Sequence, residues 1–352
     1  MSEKKRRSSV TISDVAQRAG VSRTAVSFVL NERDGERNKY VSEETRAKVW
    51  KAVEELHYQP HLLARTLRTG QSPEVAGILD VMITPLGVEL TGAFQNAALR
   101  YGYIPTTYYC QGLTDEQRQE LYQRIFARRP LAIVTTPFHF SEADVEQARA
   151  NGIEYIIFYS FYPVPIAHTC TLVLPMREPG YLAARHLLER DYRHLVLVRP
   201  EDQAHIGQDY PFQQRLEGMR EAIAEHPEAE QITLDIVPLQ LSAQAALAFV
   251  EKQLVGRASR VGVYAFNDEY ALFLLGALAQ RGIRVPQEVG VVGTDDLSFA
   301  EGTWPPLTSI NLDEANMGKQ IAELLHALHQ GEAIPEKLTS PLKPHLIQRH
   351  ST

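Results

Sequence analysis

The sequence is poor in cysteine, with only Cys110 and Cys170 in 352 residues. Two cysteines make no disulfide framework, and their scarcity fits a reducing cytosol. No apolar run reaches the ~18 residues that a membrane-spanning helix needs. Residues 1–9 are polar and basic with no apolar stretch behind them, so they do not resemble a secretory signal. These absences favour a cytoplasmic globular protein with no membrane partner.

Catalytic signatures are missing as well. The sequence has no Gly-x-Gly-x-x-Gly turn, no phosphate-binding loop ending in Gly-Lys-Ser/Thr and no His-Glu-x-x-His pair. Its twelve histidines are scattered without the spacing of metal ligands. We therefore expect no catalytic residue, no metal and no cofactor. An enzyme stays a rival hypothesis, because α/β folds also host nucleotide and sugar chemistry.

Charge is distributed unevenly along the chain. Residues 1–70 carry fourteen Lys and Arg against nine Asp and Glu, a net charge of +5, whereas the remainder carries 22 against 34, a net charge of −12. A basic head on an acidic body suggests that only the head meets a polyanion. A solvated basic surface is the alternative, and charge alone does not decide between the two.

The apolar pattern of the head predicts a helix-turn-helix. Residues 12–18 predict a short helix, Gly20 suits a tight turn that needs positive φ, and Ser22 is a good N-cap for the next helix. That second helix has a buried side and a solvent-facing side, comprising Ala25, Val26, Val29 and Leu30 on the first and Arg23, Thr24, Ser27 and Phe28 on the second. A third helix is predicted from Ser42 to about His57. A short helix with its outer side exposed is what this motif presents to the major groove.

These residues resemble the head of the LacI/GalR family of bacterial repressors. The matching stretches are TISDVAQRAGVS at 11–22, AVS at 25–27, Asn31, VSEETR at 41–46, LHYQP at 56–60 and ARTLRTG at 64–70. The resemblance implies a sequence-specific transcription regulator, with repression as the family default. It also implies a homodimer on a near-palindromic DNA operator, with one head per half-site.

The resemblance assigns roles to single residues. Arg23 and Thr24 hold the positions that read bases in the major groove, where arginine can bond guanine bidentately. Phe28 departs from the family, whose best-known members carry a polar or basic residue there, so it either touches a thymine methyl group or packs. Three further positions match family residues that hold phosphates or brace the helix, namely Ser22, Ser27 and Asn31, and Thr11 is another DNA-binding candidate. Residues 32–40 form a polar loop that is longer than in the shortest members.

A hinge is expected at residues 60–72, where proline opens and glycine closes a short segment. Leu67 holds the position at which family members push an apolar wedge into the minor groove and kink the duplex. Ala64 matches a small residue that lets two hinge helices, one per subunit, approach each other. The alternative is a linker whose Leu67 packs on the body.

From Val75 onward, short β-rich runs alternate with amphipathic helices in two successive series. This alternation predicts an α/β body with two lobes, each a parallel sheet covered by helices on both faces. The body is similar to the periplasmic-binding-protein-like sensor of the same family. The predicted domains are a head at 1–59 with a basic tail at 1–9, a hinge at 60–72, and an effector-binding and dimerisation body at 73–352. Lobe 1 would cover about 73–174 plus 312–338, and lobe 2 about 177–309 plus 341–352.

The resemblance also implies an effector site in the cleft between the lobes, at the carboxyl ends of the strands. Asp295 matches a carboxylate that accepts hydroxyl protons from a sugar, and Arg215 matches an arginine that donates to ligand oxygens. Asn267 stands at a strand end beside the cleft. A structural ion pair is the alternative for Asp295 and Arg215. Tyr159 and Phe161 would stack on a sugar face, with packing as their alternative.

Several pocket residues common in the family are absent. Their places are taken by Tyr159, Pro175-Met176, Thr84-Pro85-Leu86-Gly87 and Thr294. We therefore expect a small-molecule effector, a sugar or sugar derivative, without fixing its identity or whether it induces or co-represses. A ligand-binding sensor without DNA function is a second rival, but it predicts no head. The expected location is the bacterial cytoplasm, associated with the nucleoid.

Overall fold

The structure, a computed structural model, divides into two compact units, Met1–Ser72 and Pro73–Thr352. It describes residues 10–30, 41–59, 72–79, 85–201, 209–257, 259–335, 338 and 342–352. The predicted DNA-binding residues Asn31, Ala64 and Leu67, the loop 32–40 and the hinge up to residue 71 lie outside these ranges. Within the described ranges, no helix is long and apolar enough to cross a membrane.

The first unit contains the three predicted helices, α1 (Ile12–Ala19), α2 (Arg23–Leu30) and α3 (Glu43–Leu56). Gly20 ends α1 with φ 67°, which glycine adopts without the steric cost of a β-carbon. Ser22 and Ser42 cap the next two helices, since their hydroxyls accept the backbone N–H groups of Ala25 and Thr45. The core of this unit is formed by Val15, Val26, Val29, Val49 and Ala52.

The first sheet of the second unit is entirely parallel, in the order β2-β1-β3-β4-β5. Its strands are β1 (Glu74–Leu79), β2 (Ile104–Tyr109), β3 (Ala132–Thr135), β4 (Tyr155–Ser160) and β5 (Cys170–Val173). Helices α4 (Pro85–Arg100), α5 (Asp115–Ala127) and α6 (Glu142–Ala150) connect the first four strands. Helix α4 begins with a proline at its first position, where the missing N–H costs nothing.

The second sheet is parallel except for its last strand, in the order β11-β10-β9-β8-β6-β7. Its strands are β6 (His194–Pro200), β7 (Thr233–Leu239), β8 (Val261–Tyr264), β9 (Val289–Thr294), β10 (Thr308–Asn311) and β11 (His345–Ile347). The helices of this region are α7 (Arg177–Glu189), α8 (Asp209–Ala224), α9 (Ala243–Gln253) and α10 (Asp268–Gln280). Helix α11 (Glu314–Gln330) follows β10 and packs against α4.

Two contacts show how tightly helices pack in this unit. A β-carbon on Gly180 of α7 would collide with the carbonyl of Arg215 on α8, and one on Gly318 of α11 would collide with the carbonyl of Leu90. Glycine at these points lets the helix backbones touch. The two tryptophans of the chain lie at the surface instead, Trp50 with 50% and Trp304 with 89% of its area exposed.

Candidate DNA-contacting face and effector site

Helix α2 presents a mixed polar and aromatic side to solvent. Arg23 and Thr24 are exposed in its first turn, while Val26 and Val29 on the opposite side are buried. Phe28 has 44% of its surface exposed, so part of its ring is open to solvent while the rest is covered. An exposed ring on this side of the helix is available to a ligand, and its contact with a thymine methyl group stays a prediction.

Thr11 has a local role that the sequence analysis did not assign. Its hydroxyl accepts the Asp14 N–H, and the Asp14 carboxylate accepts the Thr11 N–H at 2.7 Å, which forms a capping box at the start of α1; the Thr11 hydroxyl also donates to that carboxylate at 2.7 Å. These hydrogen bonds lower the pKa of Asp14. Ser22 is exposed and Ser27 is half-buried.

Arg215 lies buried on α8 and joins two segments. Its guanidinium is centred 4.6 Å from the centroid of the Phe266 ring and donates to the Phe266 carbonyl. Its Nη2 lies 3.9 Å from the sulfur of Met176, which precedes α7. Its Nε is buried and has no hydrogen-bond partner among the described residues. A buried donor of this kind is costly unless something else accepts from it.

Asp295 directly follows β9 and is also buried. Its backbone takes φ 98°, and its N–H donates to the Ile310 carbonyl at 2.8 Å. Arg215 bonds the Phe266 carbonyl just after β8, and β8 pairs with β9; the buried Tyr264 hydroxyl of β8 lies 2.9 Å from the Thr294 hydroxyl of β9. Burial raises the pKa of Tyr264, the positive charge of Arg215 lowers it, and the negative charges of Asp295 and Asp268 raise it further. The structure therefore brings Arg215 and Asp295 to the same carboxyl edge of the second sheet.

Asn267 is engaged in capping helix α10. Its side-chain oxygen accepts the Tyr270 N–H at 3.1 Å, and its amide nitrogen lies 3.4 Å from Glu269. Strand β8 ends at Tyr264, three residues before this cap. The oxygen of Asn267 is thus used within its own helix, as expected of asparagine at an N-cap.

The aromatic candidates lie at the end of β4. Tyr159 is paired with Leu172 within the first sheet. Its side chain packs against the main apolar core, in agreement with the packing alternative given for it in the sequence analysis. Phe161 packs against the same core and lies 6.2 Å from the Phe138 ring. The strand continues to Ser160, which is buried and whose hydroxyl accepts the Tyr162 N–H. Ser160, not Tyr159, therefore ends the strand.

Asp268 is the functional candidate that the sequence analysis missed. Its carboxylate is completely buried, and it accepts the Leu297 N–H at 2.8 Å and the Ser309 hydroxyl at 2.6 Å. Burial raises its pKa to about 7 in spite of these hydrogen bonds. The only sequence signal was its place in the stretch Ala265-Phe266-Asn267-Asp268, which resembles the family.

Two further side chains, those of Arg349 and Asn311, form hydrogen bonds around the loop after β9. Arg349 donates to the carboxylate of Asp296 at 2.7 Å and to the Leu307 carbonyl at 2.8 Å. Asn311 donates to the other oxygen of Asp296 at 3.2 Å. No group of three His, Cys, Asp or Glu side chains that could hold a metal ion occurs among the described residues.

Comparison with known proteins agrees with both units. Residues 11–61 match the model for bacterial regulatory proteins of the lacI family, and residues 184–352 match a periplasmic binding protein-like domain. The chain is a LacI family transcription regulator. It is 28% identical to the HTH-type transcriptional repressor PurR of Aliivibrio salmonicida over 320 residues, 90% of this chain and 91% of that protein. It is also 28% identical to PurR of Vibrio parahaemolyticus, over 97% of this chain and 98% of that protein.

Solved structures share the fold of this LacI family regulator along almost its full length. The lac repressor dimer bound to operator and the anti-inducer ONPF has a TM-score of 0.75 at 22% identity, covering 98% of this chain and 99% of that chain. The regulator CelR in complex with cellobiose has a TM-score of 0.63 at 25% identity, covering 97% and 100%. The predicted family and fold class are confirmed. The protein is a DNA-binding repressor controlled by a small-molecule effector, and its relatives are repressors, not enzymes.

Proposed function

We propose that this LacI family repressor binds a near-palindromic operator as a homodimer, and that a sugar or sugar derivative held between two lobes of its body controls that binding. The observation that carries the effector half is the placement of Arg215 and Asp295 at the carboxyl ends of the neighbouring strands β8 and β9. The proposed place of action is the cytoplasm, on the bacterial nucleoid.

The exposed side of α2 supports the DNA half. Arg23 and Thr24 stand in the first turn of a helix whose opposite side is buried, so they are available to base edges. Phe28 extends the same side with an apolar ring, which suits a thymine methyl group. The full proposed DNA-contacting set is Thr11, Ser22, Arg23, Thr24, Ser27, Phe28, Asn31, Ala64 and Leu67.

The chemistry of the body site supports a hydroxyl-rich effector. A carboxylate accepts hydrogen bonds from sugar hydroxyls, and a guanidinium donates to ring and hydroxyl oxygens. The buried Nε of Arg215 is one donor that a ligand oxygen would satisfy. CelR, which resembles this chain along its length, binds cellobiose. Asn267, Tyr159 and Phe161 complete the proposed effector-binding set.

The two sheets of the body support the proposed lobes. Lobe 1 would comprise about 73–174 with 312–338, and lobe 2 about 177–309 with 341–352, after a head at 1–59 and a hinge at 60–72. Closure of the lobes on an effector would shift the first lobes of a dimer against each other. The hinge would then order or loosen, which couples the effector and DNA reciprocally.

The effector half is tested with a panel of sugars that includes cellobiose and ribose, measured by calorimetry on the full chain. At least one sugar is expected to bind, and Asp295→Asn is expected to weaken it at least tenfold, since asparagine tolerates the same positive φ. Asp191→Asn is the matched control, because Asp191 also has positive φ but is exposed. Sugar binding that survives Asp295→Asn, or sustained conversion of the sugar, would overturn this half.

The DNA half is tested by genome-wide mapping of bound sites. A recurring site with two inverted half-sites is expected, and the neighbouring genes would name the class of sugar. Bound sites with a single half-site would contradict the dimeric arrangement.

A further inference from the structure

The carboxylate of Asp268 connects three elements behind the proposed effector site. It sits in the first turn of α10 and is completely buried. One of its oxygens accepts the Leu297 N–H from the loop after β9, and the other accepts the Ser309 hydroxyl from β10. A single side chain therefore holds a helix, a loop and a strand together.

Ser309 extends this network back to the same loop. Its oxygen accepts the backbone N–H of Asp296 at 3.0 Å while its proton is donated to Asp268. Asp268 thus accepts the N–H group of Leu297 directly. It is linked to the N–H group of Asp296 through the Ser309 hydroxyl. Buried N–H groups need such partners, and the loop has no regular strand pairing to supply them.

The held loop has an unfavourable backbone conformation. Asp295 has φ 98° and Asp296 has φ 49°, so two successive residues with side chains occupy the left-handed region. Residues persist in such conformations only when the surrounding contacts enforce them, and these cases cluster at functional sites. The loop begins with Asp295, the residue proposed to meet the effector.

The carboxylate of Asp268 is packed tightly against strand β9. A β-carbon on Gly293, the second-to-last residue of β9, would collide with its carboxylate oxygen. The charged groups that face it come from other elements, Asp296 from the loop and Arg349 from the C-terminal segment, and they act on its pKa in opposite directions. The Tyr264 hydroxyl of β8 also feels its charge.

We propose that Asp268 is a positioning residue of the effector site: through Leu297 and Ser309 its carboxylate keeps the loop 295–297 in the conformation that presents Asp295. This inference rests on the proposed role of Asp295 in binding the effector. Asp268 itself does not contact the ligand. Burial raises the pKa of its carboxyl to about 7, so ionisation near neutral pH is unfavourable in the closed loop and weakens the hold on it.

The test is hydrogen–deuterium exchange of the full-length chain without ligand, followed by mass spectrometry of peptides that cover 293–300. Asp268→Asn is expected to lower the protection of this segment at least tenfold, because an amide replaces one of the two acceptor oxygens. In the wild-type chain, protection corrected for intrinsic exchange should fall between pH 6 and 8, because the buried carboxyl has a pKa of about 7 and a solvated one has a lower pKa. In Asp268→Asn it should be independent of pH.

Asp144→Asn is the matched control. Asp144 is another buried carboxylate in the first turn of a helix, where it accepts from Ser141 and Gln119. It should lower overall stability without exposing 293–300. Equal loss of protection in both variants, or a pH profile that Asp268→Asn does not flatten, would overturn the inference.

Two further variants keep the outcome interpretable. If Asp268→Asn does not fold, Ser309→Ala removes only the hydroxyl between Asp268 and Asp296, and at least a threefold loss of protection in 293–300 is expected; unchanged protection would overturn the inference. Asp295→Asn should keep the loop protected. Loss of sugar binding in Asp295→Asn therefore tests the effector site, whereas loop exchange tests Asp268 independently.

Discussion

Gly180 of α7 lies directly against the backbone of Arg215 on α8, so closely that a β-carbon there would overlap the Arg215 carbonyl. Gly218 of α8 meets the carbonyl of Arg177 in the same way. The two helices are therefore in backbone contact at the level of the guanidinium that is proposed to meet the effector. The position of Arg215 depends on a pair of glycines as much as on its own side chain.

Gly180→Ala should force α7 and α8 apart and destabilise the protein by about 1–3 kcal/mol, the usual cost of overpacking. Urea unfolding measures the change. Gly276→Ala on α10 is the control, since no atom lies within 4 Å of the β-carbon it would add. That substitution should be neutral or stabilise by about 0.5–1 kcal/mol. Similar losses in both variants would contradict the packing argument.

Arg23→Ala should relax sequence preference at one base pair of the operator, with a loss of ~1–3 kcal/mol there. The reason is that a bidentate contact with guanine discriminates between bases, whereas a phosphate contact does not. Binding to a set of single-base operator variants measures the preference. Arg18→Ala is a suitable control, because Arg18 lies on α1 and pairs with Glu55. An unchanged preference in Arg23→Ala would exclude base reading by this residue.

Leu67→Ala should leave weak, non-specific DNA binding and remove operator bending. A truncated side chain cannot hold a base step apart, and unstacking is the source of the kink. Fluorescence energy transfer across a doubly labelled operator measures the bend. An operator that stays kinked with Leu67→Ala would refute the minor-groove wedge and favour packing of Leu67 on the body.

His186 should make the body sensitive to acid. Its imidazole is buried with Nε2 2.8 Å from the Thr352 hydroxyl, and burial, reinforced by Arg190 and Arg185, lowers its pKa to about 4. The unfolded chain, with a pKa near 6.5, binds a proton in the window between these values that the folded chain does not. Stability is therefore lost as pH falls from about 6.5 to 4, by up to about 3 kcal/mol from this residue.

Urea unfolding at several pH values in this window measures the effect. His186→Gln should reduce the slope of stability against pH, while His345→Gln, at an exposed histidine of β11, should leave it unchanged. A slope that is the same in wild-type protein and His186→Gln would show that His186 does not control acid stability.

Local signals made the head predictable from sequence. Gly20, Ser22 and Ser42 act within four residues of themselves, so their turn and caps can be recognised without knowledge of the fold. The alternation of strands and helices likewise predicted the two parallel sheets. The conformation around Asp268 could not be predicted this way, because its partners Leu297 and Ser309 lie 29 and 41 residues away.

Side-chain exposure was the other quantity that pattern alone did not determine. The sequence left contact with a thymine methyl group or packing open for Phe28, and the structure leaves 44% of its side chain exposed on α2. Tyr159 precedes the end of β4 by one residue, and a shift of one residue in a strand moves a side chain to the opposite face. A shift of one residue along the strand therefore decides whether a side chain such as that of Tyr159 faces a ligand or the core.

The exposure of Trp50 and Trp304 gives the molecule two natural optical probes. The chain contains no other tryptophan, and each compact unit carries one. Because both indole rings face water, their emission is accessible to quenchers in the folded protein. With Trp304→Phe the remaining signal reports on the head alone, and with Trp50→Phe it reports on the body alone. Events on DNA and events at the effector site can therefore be followed separately in one unlabelled protein.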